Sequence, residues 1–206
     1  MSPPLPEPFI TRIEADRLTD FCIRALTSVG MSAQDAQITA DLLVRTDMRG
    51  IHTHGTVSLR RYVQLMRDGG INSKAIPETT AEGPAWALMD AHQAVGMVAG
   101  HAGMRTAALK AQITGVGIAT VRYSNHFGAA SAYTLMALDH GMAGIAMSNT
   151  DVVMNIPGGC GAMIGNNPLS YAIPAGKHPA LVLDIAMSTV AGGKVYSAKV
   201  QGKPIP

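Results

Sequence analysis

Aromatic residues are scarce in this chain, with one Trp, three Phe and five Tyr against thirteen Met, which points to a core filled by flexible side chains. Charge is nearly balanced at +2 and no Lys/Arg cluster exceeds a pair, so nothing favours nucleic acid or an anionic membrane as partner. Only two cysteines occur, Cys22 at an apolar helical position and Cys160 in a glycine run, so two buried reduced thiols are expected rather than a disulfide. No apolar run approaches the ~20 residues that span a bilayer, and the proline-rich lead lacks the regions of a signal peptide. A soluble cytoplasmic protein is expected. No internal repeat or low-complexity linker interrupts the chain. Its 206 residues, 47% of them apolar, suffice for one sizeable core, or one core plus a small helical lobe.

The first third reads as helical. Thr11 and Glu14 have capping-box spacing ahead of Leu18, Phe21, Cys22, Ala25, Leu26 and Val29, which share one helical face up to Gly30. Ser32 and Asp35 open a second helix running to about Arg45, with Ala36, Ala40, Leu43 and Val44 on its inner face. A third, over residues 55–67, carries Leu59, Tyr62, Val63 and Met66 and stops at Gly69-Gly70. His54 stands at its start, where the helix dipole disfavours a charged imidazole. From about residue 85 strand and helix signals alternate: strands over 86–90, 117–123, 143–148 and 180–185, helices over 95–113 and 129–140, and a loop region over 157–179. The order predicts a helical lobe with the substrate-site helix at 1–78 and an α/β sheet domain at 79–206.

Three places carry candidate chemistry. The glycine cluster at 158–168 does not have the spacing of a dinucleotide fingerprint, and Asn166-Asn167-Pro168 interrupts any helix after it. A turn-rich loop is expected there, with an anion nest as the other reading. His52-Thr53-His54 has the form of a metal pair, but i and i+2 diverge on a helix, so no metal is assigned and His52 takes a supporting role. The third place is YSNHFG at 123–128, where His126 lies between a strand and a helix. Ser124 and Asn125 are short polar residues able to orient its ring. No covalent nucleophile lies nearby, so a lone acid/base fits proton transfer coupled to another group's chemistry, hydride transfer from a nicotinamide being one case.

RGIHTHG (49–55), YSNHFGAAS (123–131), AMSNT (146–150), GNNPLSYAIPAG (165–176) and LVLDIAMS (181–188) occur in that order. Together they resemble the type 2 malate/L-lactate dehydrogenase family. These are non-Rossmann NAD(P)-dependent oxidoreductases that include ureidoglycolate and sulfolactate dehydrogenases and a cyclic-imine reductase. The resemblance implies a helical lobe joined to the non-Rossmann α/β sheet domain of that family, incomplete at its C-terminal end. It implies His126 as proton acceptor from the substrate hydroxyl, with His54 beside substrate and nicotinamide. Thr53, Tyr62 and Thr150 are implied as substrate contacts, and Asn166, Pro168, Asp184, Ile185 and Ala186 as cofactor contacts, the cofactor being NAD or NADP. Many relatives carry a carboxylate-binding arginine where this chain has Ser58. Arg61, on the same helical face, is the candidate replacement, a solvated Arg60-Arg61 face being the other reading.

Relatives continue beyond the point matched by QGKPIP (201–206), so a truncated member is expected, with an intact homodimer turning over a small 2-hydroxy or 2-keto acid. The alternatives are a cyclic-imine reductase on the same scaffold, a non-catalytic nucleotide-binding remnant, and a metal-dependent hydrolase.

Overall fold

The computed structural model describes residues 12–189, 192–200 and 202–205. Thr11, the expected cap, lies outside them, as do the lead before it and Gln201 and Pro206. Helices α1 (Ala15–Thr27) and α2 (Ala33–Met48) pack side by side. The α2 start is secured by Ser32, whose hydroxyl oxygen accepts the Asp35 N–H at 3.1 Å while its proton goes to the Asp35 carboxylate at 2.7 Å. The Ala36, Ala40, Leu43 and Val44 face is almost wholly buried. On α1, Cys22 and Leu26 are buried, but Phe21, expected on the same face, is 55% exposed. It sits one position off the line set by Cys22 and Leu26, and one residue turns a helix by about 100°.

The third helix starts later than its spacing suggests. Residues 52–58 form two separate 3-10 turns, His52–His54 and Thr56–Ser58, and α3 runs over Leu59–Arg67. Asp47, in the last turn of α2, causes the delay. Its carboxylate accepts the Thr56 N–H at 2.8 Å and the Thr56 hydroxyl as well, and it lies so close to Gly55 that a Cβ there would stand 2.0 Å from Oδ1.

Chain 78–122 makes the first sheet. Strand β1 (Glu78–Glu82) pairs antiparallel with β2 (Trp86–Asp90), which pairs parallel with β3 (Ile118–Arg122) through the crossover helix α4 (Gly96–Thr114). The lobe and the sheet region share a core, because Val95, Met97 and Val98 at the start of α4 pack among Leu26, Leu43, Val44, Leu59 and Met66.

A second sheet has the order β4 (Gly144–Met147), β7 (Leu169–Ile173), β8 (Leu181–Ile185), all antiparallel, with α5 (Ser131–Leu138) on one face. Its small inward residues admit the helix closely. A Cβ on Gly144 would stand 2.7 Å from Thr134 O, and the buried Ser170 and Thr134 hydroxyls are hydrogen-bonded at 3.0 Å. Strands β5 (Val152–Met154) and β6 (Ile164–Gly165) pair separately, and α6 (Gly192–Val200) follows.

The segment expected as loop over 157–179 therefore holds β6 and β7; β7 is short and flanked by Pro168 and Pro174, which masks its alternation. Strand β1, also unexpected, is exposed along its whole length, so it carries no apolar signal and is held through its ladder to β2. Both thiols are free, but Cys160 is exposed, because left-handed Gly158 and Gly161 (φ 79° and 78°) turn its loop outward. Cys22 is buried, and burial and then Asp47 push its thiol up to about 11. Among the described residues no helix is long and apolar enough to cross a membrane.

Candidate active site

His126 lies on the loop between β3 and α5, and that loop is clamped from several sides. The Asn125 side-chain amide donates to Gln93 O at 3.0 Å and Ala94 O at 3.2 Å. Gly96, at the start of α4, approaches so closely that a Cβ would stand 2.2 Å from the carbonyl oxygens of both Asn125 and His126. The buried Tyr133 hydroxyl donates to Phe127 O, and its ring stacks on Phe127 with centroids 5.0 Å apart. Ser124 donates to Asn125 O at 3.2 Å. Ser124 and Asn125 thus hold backbone rather than orient the ring, which is a correction to the expectation for them.

The imidazole takes its partners from elsewhere. Its Nδ1 lies 2.6 Å from the Tyr62 hydroxyl of α3 and 3.4 Å from Gly128 N. His54 stacks beside it with centroids 5.7 Å apart and planes at 25°. The residue is exposed, yet protein crowds the ring: this crowding first, then the neighbouring His54 and the Arg61 charge, hold its pKa down to about 4. Tyr62 is 1% exposed, and burial pushes its phenol up to about 12 against a hydrogen bond from Ser58 and the Arg61 charge. Expected to line the pocket, Tyr62 is in fact buried with its hydroxyl on His126.

His54 lies in a 3-10 turn one segment before α3, not at that helix's start, so the dipole reasoning does not apply. Its pKa is lowered all the same, by burial, with the Asp184 charge opposing. Its Nδ1 lies 2.9 Å from the Thr53 hydroxyl, while His52 turns the other way, to Asp47 at 3.1 Å. The two histidines therefore serve different partners, and among the described residues no three His, Cys, Asp or Glu side chains gather as a metal site.

Asp184, at the end of β8, accepts the Ser131 N–H at the start of α5 at 2.8 Å, which ties β8 to the loop carrying His126. Thr150 forms a second group: its hydroxyl donates to the Asn166 side chain at 2.8 Å, and its N–H to Asn167 at 3.1 Å. The Met187 N–H donates to Asn166 O at 2.7 Å, which joins the 165–168 and 184–187 segments, and the Ser148 N–H donates to Pro168 O at 3.3 Å, which ties 165–168 to the end of β4. Ile185 is exposed and Ala186 half-buried beside them. Thr53 meets the start of α6, where a Cβ on Gly193 would stand 3.0 Å from it. Arg61 is exposed and forms no ion pair among the described residues.

Sequence reasoning missed Asp47, Gly96 and the α5-capping role of Asp184. No motif spacing connects a glycine opening α4 with a histidine thirty residues on.

The mixed helix and sheet fold thus brings His126, from a strand-to-helix loop, beside His54, from a 3-10 turn. The profile of the malate/L-lactate dehydrogenase family matches residues 13–206, and the chain belongs to that family. It is 42% identical over 195 residues to the malate dehydrogenase of Pyrococcus horikoshii, covering 95% of this chain and 54% of that protein. It is 32% identical to the ureidoglycolate dehydrogenase (NAD(+)) of Escherichia coli K12, over 95% of this chain and 56% of that one. The malate dehydrogenase structure from Entamoeba histolytica superposes with a TM-score of 0.92 at 30% identity, over 95% of this chain and 55% of the other. The chain thus spans about half the length of the curated relatives it matches.

Proposed function

We propose that this chain carries the acid/base part of a nicotinamide-dependent oxidoreductase site. Its substrate is a small 2-hydroxy or 2-keto acid, with His126 giving and taking the proton at the substrate oxygen. The observation that carries this reading is an exposed imidazole held between a buried tyrosine and a second histidine, and kept neutral at physiological pH. Arg61, without an ion pair among the described residues and close enough for its charge to act on His126 and Tyr62, is the carboxylate anchor. Thr53 and Thr150 frame the substrate.

The residues present fit a nicotinamide. Among the described residues strand β8 is the edge of its sheet, so the backbone groups that alternate to its outer side near Asp184, Ile185 and Ala186 are available to a carboxamide, and exposed Ile185 offers an apolar contact to a ring. Asn166 holds that edge through the Met187 N–H, and Pro168 fixes the same loop to Ser148 beside β4, the two being the cofactor contacts on this reading. When bound, NAD or NADP supplies or accepts the hydride. The family resemblance supports a homodimer, which size-exclusion chromatography checks.

The test is a fluorescence titration of the folded chain with NADH and with NADPH in separate runs, followed by assays on 2-hydroxy and 2-keto acids. Saturable binding of one nucleotide is expected, and with it the preference between the two. His126→Gln is expected to keep that binding and to lose about 10²–10⁴-fold in turnover. A folded chain that binds neither nucleotide would count against the reading. Reduction of a cyclic imino acid with negligible malate or lactate oxidation would move the assignment to the imine reductase.

A further inference from the structure

The position of the proton on His126 follows from its neighbours. Gly128 N–H points at Nδ1 from 3.4 Å, and a backbone N–H can only donate, so Nδ1 presents its lone pair. The Tyr62 hydroxyl, 2.6 Å from the same nitrogen, is then a donor too. Tyr62 is 1% exposed, so bulk water does not compete for this bond. A neutral imidazole carries one N–H, and with Nδ1 held as acceptor that N–H is on Nε2.

We propose that Tyr62 and Gly128 lock His126 in its Nε2–H tautomer, so that the resting ring presents a hydrogen-bond donor, and no lone pair, at Nε2. It thereby favours groups that only accept, the C=O of a 2-keto acid or the C=N of an imino acid, over a 2-hydroxy acid, whose hydroxyl proton finds no acceptor on that nitrogen. The choice of acceptor rests on the oxidoreductase reading above; the tautomer does not. Tyr62 is a positioning residue, acting on substrate only through His126. The titratable groups facing the ring are His54 and Arg61, and a charge on either favours the neutral form of His126. For Nε2 to receive a hydroxyl proton directly, the ring proton would have to move to Nδ1, against the Gly128 N–H.

The experiment is a long-range nitrogen–proton NMR spectrum of the whole chain with isotope-labelled histidine near neutral pH, His126 being assigned by its loss in His126→Gln. A pyridine-type Nδ1 and a protonated Nε2 are expected, and a protonated Nδ1 in the wild-type chain overturns the proposal. Tyr62→Phe, with an unaltered fold by circular dichroism, is expected to give a mixture of tautomers, and an unchanged spectrum removes Tyr62 from the mechanism. If that variant does not fold, the wild-type spectrum decides the tautomer alone. Titrating a 2-keto acid and its matching 2-hydroxy acid should shift the Nε2 signal at a several-fold lower concentration of the keto acid. Equal shifts, or none with either acid, overturn the selectivity. Nicotinamide binding is read in its own titration, so its failure sinks the oxidoreductase reading without altering the tautomer result.

Discussion

The residue that most narrowly limits His126 is a glycine with no chemistry of its own. Gly96 opens α4, and the carbonyl oxygens of Asn125 and His126 occupy the space its side chain would need. Gly96→Ala must therefore displace either the helix start or the His126 loop. Overpacking of this kind costs about 1–3 kcal/mol, and a lowered Tm by calorimetry is the expected result. A displaced loop should also lengthen the bond from His126 to Tyr62, so the histidine signals of the variant should change together with its stability. A Tm equal to that of the wild-type chain would show that the loop gives way freely. At this scale the sequence pointed to His126 and His54, which lie in the family segments, and to Tyr62, which lies on the helix after them. It was silent on Gly96, because close approach is a property of two segments and neither alone displays it.

Among the elements, α5 depends on a strand distant in sequence. It begins without a side-chain cap of its own, and Asp184 of β8 supplies the acceptor for the Ser131 N–H. Asp184→Ala removes that acceptor and a negative charge at the positive end of the helix, with an expected cost of about 0.5–2 kcal/mol in chemical denaturation. The same carboxylate raises the pKa of His54 against burial, so the variant should also titrate His54 at lower pH by NMR. Loss of stability with no change at His54 would confine Asp184 to the helix start. Periodicity located α1, α2, α4, α5 and the strands β2, β3, β4 and β8, whose apolar patterns are strong. It overlooked β1, β5, β6, β7 and α6: β1 is exposed, β5 and β6 are two or three residues long, β7 is set between prolines, and α6 opens on a glycine pair. It also ran α3 back through Gly55, because the apolar spacing does not register the hold of Asp47 on Thr56.

For the whole molecule, the lowered histidine values set a direction for stability against pH. His126 falls from an ordinary 6.5 to about 4, and His54 and His101 are lowered as well, chiefly by burial. Between those limits the unfolded chain binds protons that the folded chain refuses, so stability falls as pH drops from 6.5 toward about 4. Below that range His126 is protonated in both states and its contribution levels off. Denaturant midpoints measured across the range should show the decline, and His126→Gln should flatten it in part. An identical slope in the variant would mean that the other groups alone produce the decline.

Composition, apolar spacing and five ordered segments were enough to determine the family, the helical lobe followed by strands and helices, and the identity of the paired histidines. These are properties of local pattern and of residue type, which a linear chain displays. Only the tertiary structure decided that Tyr62 turns its hydroxyl to His126, that Asp184 starts α5, that Asp47 divides the turn before α3, and that the strands fall into separate sheets. Each of these joins groups far apart in sequence or depends on which edge of a strand finds a partner. The energy of such contacts comes from burial and hydrogen-bond geometry, which exist only once the segments have met.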